Sequence, residues 1–509
     1  MCCNAIAVWR SHGSARVVLL GVLLASLAVH VAGVSLDFIA AIRYPFELDY
    51  GEGIVWQQAV LIPGPRMYSG SQSLPFIVFH YPPIYYLMVH AARLVAPDFL
   101  AAGRLVSSLS AFLIAPMVTS LALLAARRPG KFEIAIAFSA GMLALCLHPV
   151  HLWGMAMRVD MLAVALGLAG VLAAAWSNGR VWGIAGALLL CGAAVFTKQT
   201  EISAGITVFL IGLLRNPRGT LGAAAVVGAA GLGALGLLQG LTGGGFLENI
   251  IGYNINRFSL SQGVFQFWVE QANLPYVLMM LLAVPVLLGS VAPAALQLRL
   301  RRALCEIRAL QGADRTTTCR ALLLLYFGLT TLMLSTTFKS GSSTNYLIEW
   351  LIVGSVLIAA LLMHLARSEA YSEWVLPGAI LVLSLTLAKY PLQEMRDGPA
   401  VDLARQTALV QQIAAAEKPV ASENMTLLMR AGKPVIFEPA IVTELAAVGR
   451  WNEAPLVAMI RDGGFAFMIT TDNDTGGFRR SPAVYAAMRA AYPRVEQVGP
   501  RLWLHLPPV

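Results

Sequence analysis

Three carboxylates stand close together near the start of the chain. Glu47, Asp49 and Glu52 lie within six residues, directly after the first long apolar segment. Acidic side chains this close to a bilayer are costly unless they face water or a substrate. A carboxylate held there has the chemistry needed to take a proton from a hydroxyl group. The acidic stretch therefore predicts a reactive site at the membrane surface.

Basic side chains at the ends of later apolar segments form the second half of this constellation. They are Arg158, Lys198 and Lys339. A single lysine at the end of a span usually only snorkels toward water. On the topology that the basic loops define, however, all three lie on the outer face, where the positive-inside bias depletes Lys and Arg. Both residue types give charge-assisted hydrogen bonds to phosphate oxygens, so the set fits sugar transfer from a lipid-linked phosphate to a hydroxyl acceptor.

The composition is that of a polytopic α-helical membrane protein. The 509 residues are 58% hydrophobic and 12% charged, and the mean hydropathy is +0.70. A run of about 20 apolar residues crosses the hydrocarbon core. Segment 222–244 is rich in glycine and alanine, which predicts close packing against neighbouring helices. About 11–12 crossings are predicted, from the segments 17–40, 82–97, 100–126, 132–149, 159–177, 181–197, 200–214, 220–241, 274–296, 319–336, 347–366 and 374–390.

Short basic loops orient these segments. Arginines and lysines cluster at 127–131, 215–218 and 299–308, and the positive-inside rule places those loops in the cytoplasm. Topology thereby explains the net charge of +9, and no nucleic-acid partner is expected. The outer side then holds the C-terminal region and the loops 41–80, 150–158, 197–199, 242–273 and 338–346.

The order of the loops requires that one apolar segment does not cross the membrane. Three candidate segments separate loop 41–80 from loop 150–158, although both belong on the same side. The segment 82–97 is short and is interrupted by His90 and Arg93. We therefore predict that 82–97 is not a full crossing.

A shift in composition marks a second domain. Residues 1–392 form the predicted transmembrane domain, with 41–80 as its acidic first external loop, and residues 393–509 carry many charges. We expect this small extracytoplasmic α/β domain to cap the outer face, with a part in acceptor binding as the alternative. It has no phosphate-binding or dinucleotide-binding motif. Its predicted helices are 398–416, 424–431, 440–449, 454–462 and 481–492, and its predicted strands are 419–422, 434–437, 465–470 and 502–506.

The cysteines and histidines indicate neither disulfides nor a structural metal site. No cysteine lies in loop 41–80, in 242–273 or in the C-terminal region, so the predicted outer parts contain no disulfide bond. His148 and His151 are spaced like metal ligands, but two histidines at a helix end are more often interfacial residues. No cofactor is predicted, and nothing in the sequence indicates a divalent cation.

Several short motifs follow one another in a recognisable order. They are Glu47-Leu48-Asp49-Tyr50-Gly51-Glu52-Gly53, Tyr81-Pro82-Pro83-Ile84-Tyr85-Tyr86, Gly103-Arg104-Leu105, Arg158-Val159-Asp160 and Thr197-Lys198-Gln199-Thr200. In order and spacing, over about residues 17–350, the chain resembles the GT-C superfamily of membrane glycosyltransferases. Within it, the likeness is to protein O-mannosyltransferases and aminoarabinose transferases, the group of glycosyltransferase family 39.

The resemblance implies a polyprenyl-phosphate sugar donor and an inverting transfer. It implies an active site on the outer, periplasmic face of the cytoplasmic (inner) membrane, and a glycan, a lipid or a protein as acceptor. The first-loop acid of the family is similar to Asp49, which would be the general base, with Glu52 as its competitor. The second acid of the family is similar to Asp160.

The resemblance also implies a set of donor contacts. Arg158, Lys198 and Lys339 would bind the donor phosphate. Relatives often carry a lysine or histidine before the two prolines; this chain has Tyr81 there, preceded by His80, which would take the role of phosphate ligand. Further contacts to donor or acceptor are expected from Tyr81, Tyr85, Gln199, Asn345, Tyr346 and Glu349.

A non-enzymatic transporter or flippase of lipid-linked glycans is the main alternative. Such a protein keeps its charges near the bilayer midplane on broken helices, whereas most candidates here lie at the ends of predicted spans. A polymerase or ligase of lipid-linked glycans and a scaffold in an envelope complex are further alternatives. The scaffold leaves the outer-face lysines unexplained. The enzyme is favoured if Asp49, Asp160 and the three cations meet in one cavity at the membrane boundary.

Overall fold

The protein is mostly helical up to a C-terminal region that contains a small sheet. The computed structural model describes residues 2–70, 72–254, 257–261, 263–264, 274–291, 312–339, 341–367, 375–387, 403–472, 479–499 and 501–509. The predicted basic loop 299–308 and the predicted domain boundary near residue 392 lie outside the described residues. Before the C-terminal region, the helices are α1 (Cys2–Arg43), α2 (Gly51–Leu61), α3 (Ile84–Ala92), α4 (Phe99–Ala125), α5 (Lys131–Cys146), α6 (His148–Met155), α7 (Asp160–Ser177), α8 (Val181–Val195), α9 (Ser203–Arg215), α10 (Pro217–Leu241), α11 (Gly245–Ile250), α12 (Leu274–Val291), α13 (Arg315–Met333), α14 (Ile348–Arg367) and α15 (Val375–Leu387).

Long apolar helices confirm the prediction of a multi-pass membrane protein. Among the described residues, six helices are long and apolar enough to cross a bilayer, or seven if the bent pair α5 and α6 is one span. Three shorter apolar helices accompany them: Val181–Val195, Ser203–Arg215 and Tyr276–Leu288. The six long spans are Val17–Arg43, Phe99–Ala125, Asp160–Ser177, Pro217–Leu241, Arg315–Phe338 and Thr344–Arg367.

The segment 82–97 does not cross the membrane. Its helix α3 has 9 residues, which makes it roughly 14 Å long at 1.5 Å per residue. The hydrocarbon core is about 30 Å thick. Leu87 and Met88 are exposed on this short helix, and Leu94 is exposed in the turn after it, as suits a segment that lies at the membrane surface. The prediction that 82–97 is not a full crossing is confirmed.

The chain bends where the sequence predicted the end of a span. Helix α5 ends at Cys146, and α6 continues from His148 at an angle of 55°. Pro149 stands in the first turn of α6, where a missing backbone N–H costs nothing. The predicted loop 150–158 is therefore wrong over its first half, which is helical. His151 Nε2 lies 2.9 Å from Asp37 Oδ2 of α1, so this histidine joins two helices.

Small residues allow close helix packing in the membrane core, but not where the sequence predicted it. Helix α7 packs against α4 and α8, and a Cβ added at Gly170 would lie 2.5 Å from Cys191 Sγ of α8. In α10 the expected glycine packing is wrong, because most of this helix is exposed and several of its glycines have no neighbour within 4 Å. These are Gly222, Gly228, Gly233, Gly236 and Gly240.

The C-terminal region is an α/β unit with a four-stranded sheet. The sheet order is β1-β2-β4-β3, with β1 parallel to β2 and the other neighbours antiparallel. The predicted strand 434–437 is not part of the sheet; Phe437 instead forms an isolated bridge with Phe76 of the first loop. The elements are α16 (Leu403–Ala415), β1 (Ala421–Ser422), α17 (Met425–Arg430), α18 (Pro439–Ala447), α19 (Ala454–Arg461), β2 (Met468–Thr470), α20 (Pro482–Ala491), β3 (Arg494–Gly499) and β4 (Leu502–Leu506).

The C-terminal region shares its core with the first loop. Phe76 and Val78 of the loop pack in one cluster with residues of the C-terminal region, and Phe46 packs in another. Arg430 Nη1 pairs with Asp98 Oδ2 at 2.7 Å, at the N-cap of α4. Because apolar burial holds the two parts together, the C-terminal region is fixed above the helix ends of the membrane part.

Candidate active site

A cavity of about 220 Å³ lies where these helix ends meet the C-terminal region. Every predicted outer loop supplies at least one residue to its wall, and so does the C-terminal region. The grouping of these loops on one side of the protein, predicted from charge alone, is therefore borne out by their convergence. The polar and charged wall residues include His80, Tyr81, Arg158, Lys198, Gln199, Asn254, Lys339, Tyr346, Glu438 and Glu444.

Arg158 links the acidic first loop to the start of α7. Its Nη1 lies 3.0 Å from Asp49 Oδ2, and its Nε lies 3.9 Å from Asp160 Oδ2. The guanidinium also stacks on Trp153, with Cζ 4.8 Å from the ring centre. Burial alone would lower the pKa of Arg158, but Asp49 and Asp160 raise it overall. Arg158 is thus a fixed cation between two carboxylates.

Asp160 and Lys198 form the second charged pair. Asp160 is fully buried in the first turn of α7, where the helix dipole favours a negative charge. Lys198 Nζ lies 2.9 Å from Asp160 Oδ1 and 3.2 Å from Glu201 Oε1. Burial alone would lower the pKa of Lys198, but Asp160 and Glu201 hold it well above its usual value. The ammonium group therefore stays charged inside the protein.

Two side chains from the start of the span Thr344–Arg367 contact this charged pair. Asn345 Nδ2 donates a 2.8 Å hydrogen bond to Asp160 Oδ1. The Tyr346 ring lies against Lys198, with Nζ 5.0 Å from the ring centre. A lysine over an aromatic face is attracted by the ring quadrupole. Asn345 supports the wall from behind, and Tyr346 forms part of it.

Asp49 stands beside the cavity with one oxygen atom available. Its Oδ2 accepts from Arg158 Nη1 at 3.0 Å and from the Gly51 backbone N–H at 2.9 Å. Its Oδ1 accepts no hydrogen bond from any residue in the described part of the chain. The side chain is 37% exposed, so water or a substrate hydroxyl can reach it. Asp49 is not itself part of the wall, but Tyr50 and Gly51 next to it are.

Glu52 is placed differently and is held on both oxygens. It is fully buried, and Arg104 donates to Oε1 at 2.8 Å and to Oε2 at 2.7 Å. The Met157 N–H donates to Oε1 at 2.7 Å, and the Leu48 N–H donates to Oε2 at 2.6 Å. A carboxylate bound in this way has no exposed oxygen for a substrate, so the geometry supports a structural role.

His80 and Lys339 both line the cavity. His80 Nε2 lies 2.8 Å from Glu438 Oε2, and Nδ1 lies 3.2 Å from Asn254 Oδ1. Lys339 follows the last turn of its span, and its ammonium group has no ion-pair partner among the residues that the structure describes. Because no described carboxylate pairs with it, the Lys339 ammonium group can bind an anion.

Of the four remaining predicted residues, two line the cavity and two lie outside its wall. Tyr81 is part of the wall, and burial raises its pKa to about 12. Gln199 is part of the wall too, and its Nε2 donates to the His80 carbonyl at 2.9 Å. Tyr85 and Glu349 are not in the wall: Tyr85 Oη donates to the Gly103 carbonyl at 3.0 Å, and Glu349 accepts from Tyr326 at 2.8 Å.

The sequence analysis missed three residues of the site. Arg104 was noted only as part of a motif, although an arginine in an apolar span implies a buried acid partner, here Glu52. Asn254 and Glu438 carried no signal, because neither stands in a motif or near another site residue in sequence. Only the fold brings them to His80.

A second cavity of about 510 Å³ lies on the other side of the C-terminal half of α2. It is larger, but its wall is mainly apolar and none of the predicted site residues lines it. Its two cations are Arg66 and Lys433, and neither forms a buried pair with a carboxylate. The first cavity is therefore the candidate site, since it holds the paired charges.

The fold resembles known membrane glycosyltransferases. No family profile and no curated protein matches the sequence. ArnT from Cupriavidus metallidurans in the apo state has a TM-score of 0.57 at 15% identity, over 94% of this chain and 97% of that chain. ArnT from the same organism bound to undecaprenyl phosphate has a TM-score of 0.53 at 14% identity, over 96% and 97%. The chain has the GT-C fold, so the resemblance expected from the motifs is confirmed at the level of the fold.

Proposed function

We propose that the protein transfers a sugar from a polyprenyl-phosphate donor to a hydroxyl group of a glycan, lipid or protein acceptor. The observation that carries this proposal is the meeting of Arg158, Lys198 and Lys339 in one cavity, with Asp49 beside them. The cavity lies at the ends of the apolar helices, where they meet the C-terminal region. The structural neighbour ArnT bound to undecaprenyl phosphate supports the choice of a polyprenyl phosphate.

The cations suit a phosphate leaving group. When the bond between the anomeric carbon and the phosphate oxygen breaks, its electron pair stays on that oxygen. The phosphodiester thus becomes a monoester with one more negative charge. Fixed cations aimed at the developing charge lower the barrier. Lys339, which has no ion-pair partner among the described residues, is the cation for this role, while Arg158 and Lys198 line the wall beside it and are held by carboxylates.

Asp49 is the proposed general base. Its Oδ1 would accept the proton of an acceptor hydroxyl held in line with the anomeric carbon, which gives inversion in a single displacement. Arg158 fixes the orientation of the carboxylate through its contact with Oδ2. Asp160 would act as a support for Lys198 and Arg158, because its carboxylate is fully buried.

The outer face of the inner membrane is the proposed location of this cavity. The ends of the helices on the opposite side carry the basic residues: Arg320 donates to the Ala125 carbonyl, and Arg367 pairs with Glu133. Arg215 binds the Ala313 carbonyl on that same side. By the positive-inside rule that side is cytoplasmic, so the cavity and the C-terminal region are extracytoplasmic.

A transporter is less well supported. It needs charges at the midplane that alternate between two openings. The charged pairs of this cavity instead lie at helix ends, beneath a C-terminal region whose core is continuous with the first loop.

Release of polyprenyl phosphate tests the proposal without knowledge of the sugar. Purified protein in lipid nanodiscs is given a panel of synthetic polyprenyl-phosphate hexoses and pentoses with a mixture of acceptor glycans and lipid acceptors. We expect at least one donor to release polyprenyl phosphate, with a glycosylated acceptor formed in equal amount. Asp49→Asn should abolish this release, lowering the rate by about 100-fold or more, as expected for loss of a general base.

The controls separate chemistry from folding. Asp49→Asn must retain the thermal stability of the wild type and its binding of a prenyl phosphate. Full activity of Asp49→Asn would move the base to another residue. If no donor of the panel is turned over, while the same protein reconstituted in liposomes moves lipid-linked glycans across their bilayer, the transporter replaces the enzyme.

A further inference from the structure

The His80 imidazole is held between two hydrogen-bond acceptors. Nε2 faces the Glu438 carboxylate at 2.8 Å, and Nδ1 faces Asn254 Oδ1 at 3.2 Å. Glu438 belongs to the C-terminal region, Asn254 to the short helical turn Gly252–Asn254, and His80 to the first loop. Three parts of the chain that are far apart in sequence thus meet at one ring.

The orientation of the Asn254 amide is fixed by its other contacts. Its Nδ2 donates to the His80 carbonyl at 3.0 Å and to the Ile250 carbonyl at 3.2 Å. Since both of these partners are acceptors, the nitrogen must point toward them and the oxygen toward the ring. His80 Nδ1 therefore carries a hydrogen.

The second ring nitrogen carries a hydrogen too. A carboxylic acid, with a reference pKa of about 4.3 for Glu, is a stronger acid than imidazolium at about 6.5, so a proton shared by the two stays on the ring. With both nitrogens protonated, His80 is an imidazolium. It is also a wall residue of the candidate site.

We propose that Glu438 is a positioning residue through which the C-terminal region keeps His80 charged, as an additional cation for the donor phosphate. This inference rests on the proposed function, because it assigns the cation to the same phosphate site. It also gives the C-terminal region a part in the chemistry: the region supplies the carboxylate without which the wall has one cation fewer.

The groups that face His80 set the direction of its titration. Burial and the nearby Arg158 disfavour the charged ring, whereas Glu438 and Asn254 favour it, and the net result is a raised pKa of His80. Tyr81 is the neighbouring aromatic group, with its ring centre 6.2 Å away. The charge is therefore present below the raised pKa and is lost as pH rises through it. Without Glu438 the loss should occur at lower pH.

The test is the pH dependence of phosphodiester binding. The probe is a short-chain prenyl methyl phosphate, whose single negative charge does not change between pH 5.5 and 9. Binding to the full-length protein in nanodiscs is measured across this range for the wild type and for Glu438→Gln. The control is Glu417→Gln, which removes an exposed carboxylate of the C-terminal region that does not line the cavity.

The expected result is a shift in the pH profile. The affinities of wild type and Glu438→Gln should agree at the acidic end of the range. The midpoint of the alkaline loss should fall by about one pH unit or more in Glu438→Gln, which makes its binding several-fold weaker than that of the wild type between the two midpoints. Glu417→Gln should follow the wild type. His80→Lys, which carries a permanent charge, should bind without this transition, with or without Glu438.

Different results would overturn the inference and the proposed function. If the wild type binds the probe and Glu438→Gln has the same pH profile, the role of Glu438 is refuted while the donor site stands. If the wild type does not bind the probe at any pH, the donor site itself fails. Should Glu438→Gln not fold, a wild-type-like alkaline loss in His80→Lys would refute the role of His80.

Discussion

The guanidinium of Arg158 occupies space that only a glycine at position 51 leaves open. A Cβ added at Gly51 would lie 1.3 Å from Arg158 Nη1 and 3.0 Å from Asp49 Oδ2. The first residue of α2 must therefore lack a side chain if the cation is to reach the proposed base. Because the obstructed atom is the end of a flexible side chain, a larger residue would move Arg158 and leave the fold intact.

Replacement of Gly51 by alanine should inactivate the protein without unfolding it. In Gly51→Ala, Arg158 should lose its contact with Asp49, and the rate of donor turnover should fall by about 10- to 100-fold, since small misplacements of reacting groups are costly. Turnover and the thermal unfolding midpoint are measured together. Gly222→Ala is the control, because nothing lies within 4 Å of its added Cβ. Equal activity of the two variants would argue against the Arg158–Asp49 contact.

Sequence reasoning placed both Asp49 and Glu52 in the site but had no means to separate them. The two residues share a charge and differ by three positions. Their roles differ because Arg104, which lies far along the chain, binds Glu52 on both oxygens. The role of Asp49 as general base stays a prediction. The contacts of Glu52 favour a structural role for that residue.

At the scale of elements, the Arg104–Glu52 pair joins α1, α2 and α4. Arg104 of α4 also donates to the backbone carbonyls of Ala41, Tyr44 and Phe46, at 2.6 Å each. Carbonyl groups at the end of a helix have no partner within the helix, and here the guanidinium binds one of them, Ala41, together with two carbonyls of the segment that follows α1. The acidic loop therefore leaves the membrane in a fixed direction.

Loss of the Glu52 charge should destabilise the protein. In Glu52→Gln, Arg104 remains buried without an anion, and removal of one partner from a buried pair costs about 3–5 kcal/mol. We expect a clearly lower unfolding temperature and little folded protein, in contrast to Asp49→Asn. Thermal unfolding in detergent gives the measurement. A Glu52→Gln protein that has wild-type stability but no activity would make Glu52 the base.

Hydropathy predicted the elements well where a whole helix face or span carries the signal. The long spans and the short α3 follow from run length alone. The bend between α5 and α6 was missed because Pro149 sits inside one apolar run. Strand β3 was missed because Arg494, Glu496 and Gln497 are polar, and its position depends on pairing with β4.

At the scale of the whole molecule, charge is distributed unequally between the two ends of the helices. The cavity and the C-terminal region lie at one end, and the two described basic loops, 127–131 and 215–218, lie at the other. The sequence predicted this distribution from loop composition, because topology depends on local charge. It gave no indication of Glu438 in the cavity, because that contact depends on how the C-terminal region packs.

Cysteine labelling tests this orientation. In a background without the native cysteines, Asp462→Cys and Arg128→Cys each introduce one thiol at an exposed position. In cells whose outer membrane is permeabilised but whose inner membrane is intact, a membrane-impermeant maleimide should label Asp462→Cys. Arg128→Cys should react only after the inner membrane is made permeable. The reverse pattern would place the cavity in the cytoplasm.

The contact between the Tyr50 hydroxyl and the Ala440 N–H, 3.2 Å long, bridges 390 positions of sequence. Strand β2, which neighbours β1 in the sheet, is also paired with β4 at Leu502–Leu506. Since a chain emerges from the ribosome starting at its N-terminus, the helices with their cations enter the membrane long before Glu438 and β4 are made. A translation product that stops early would thus be inserted without Glu438 and the other C-terminal residues of the cavity wall, so the cavity is completed only after the C-terminal region has been made.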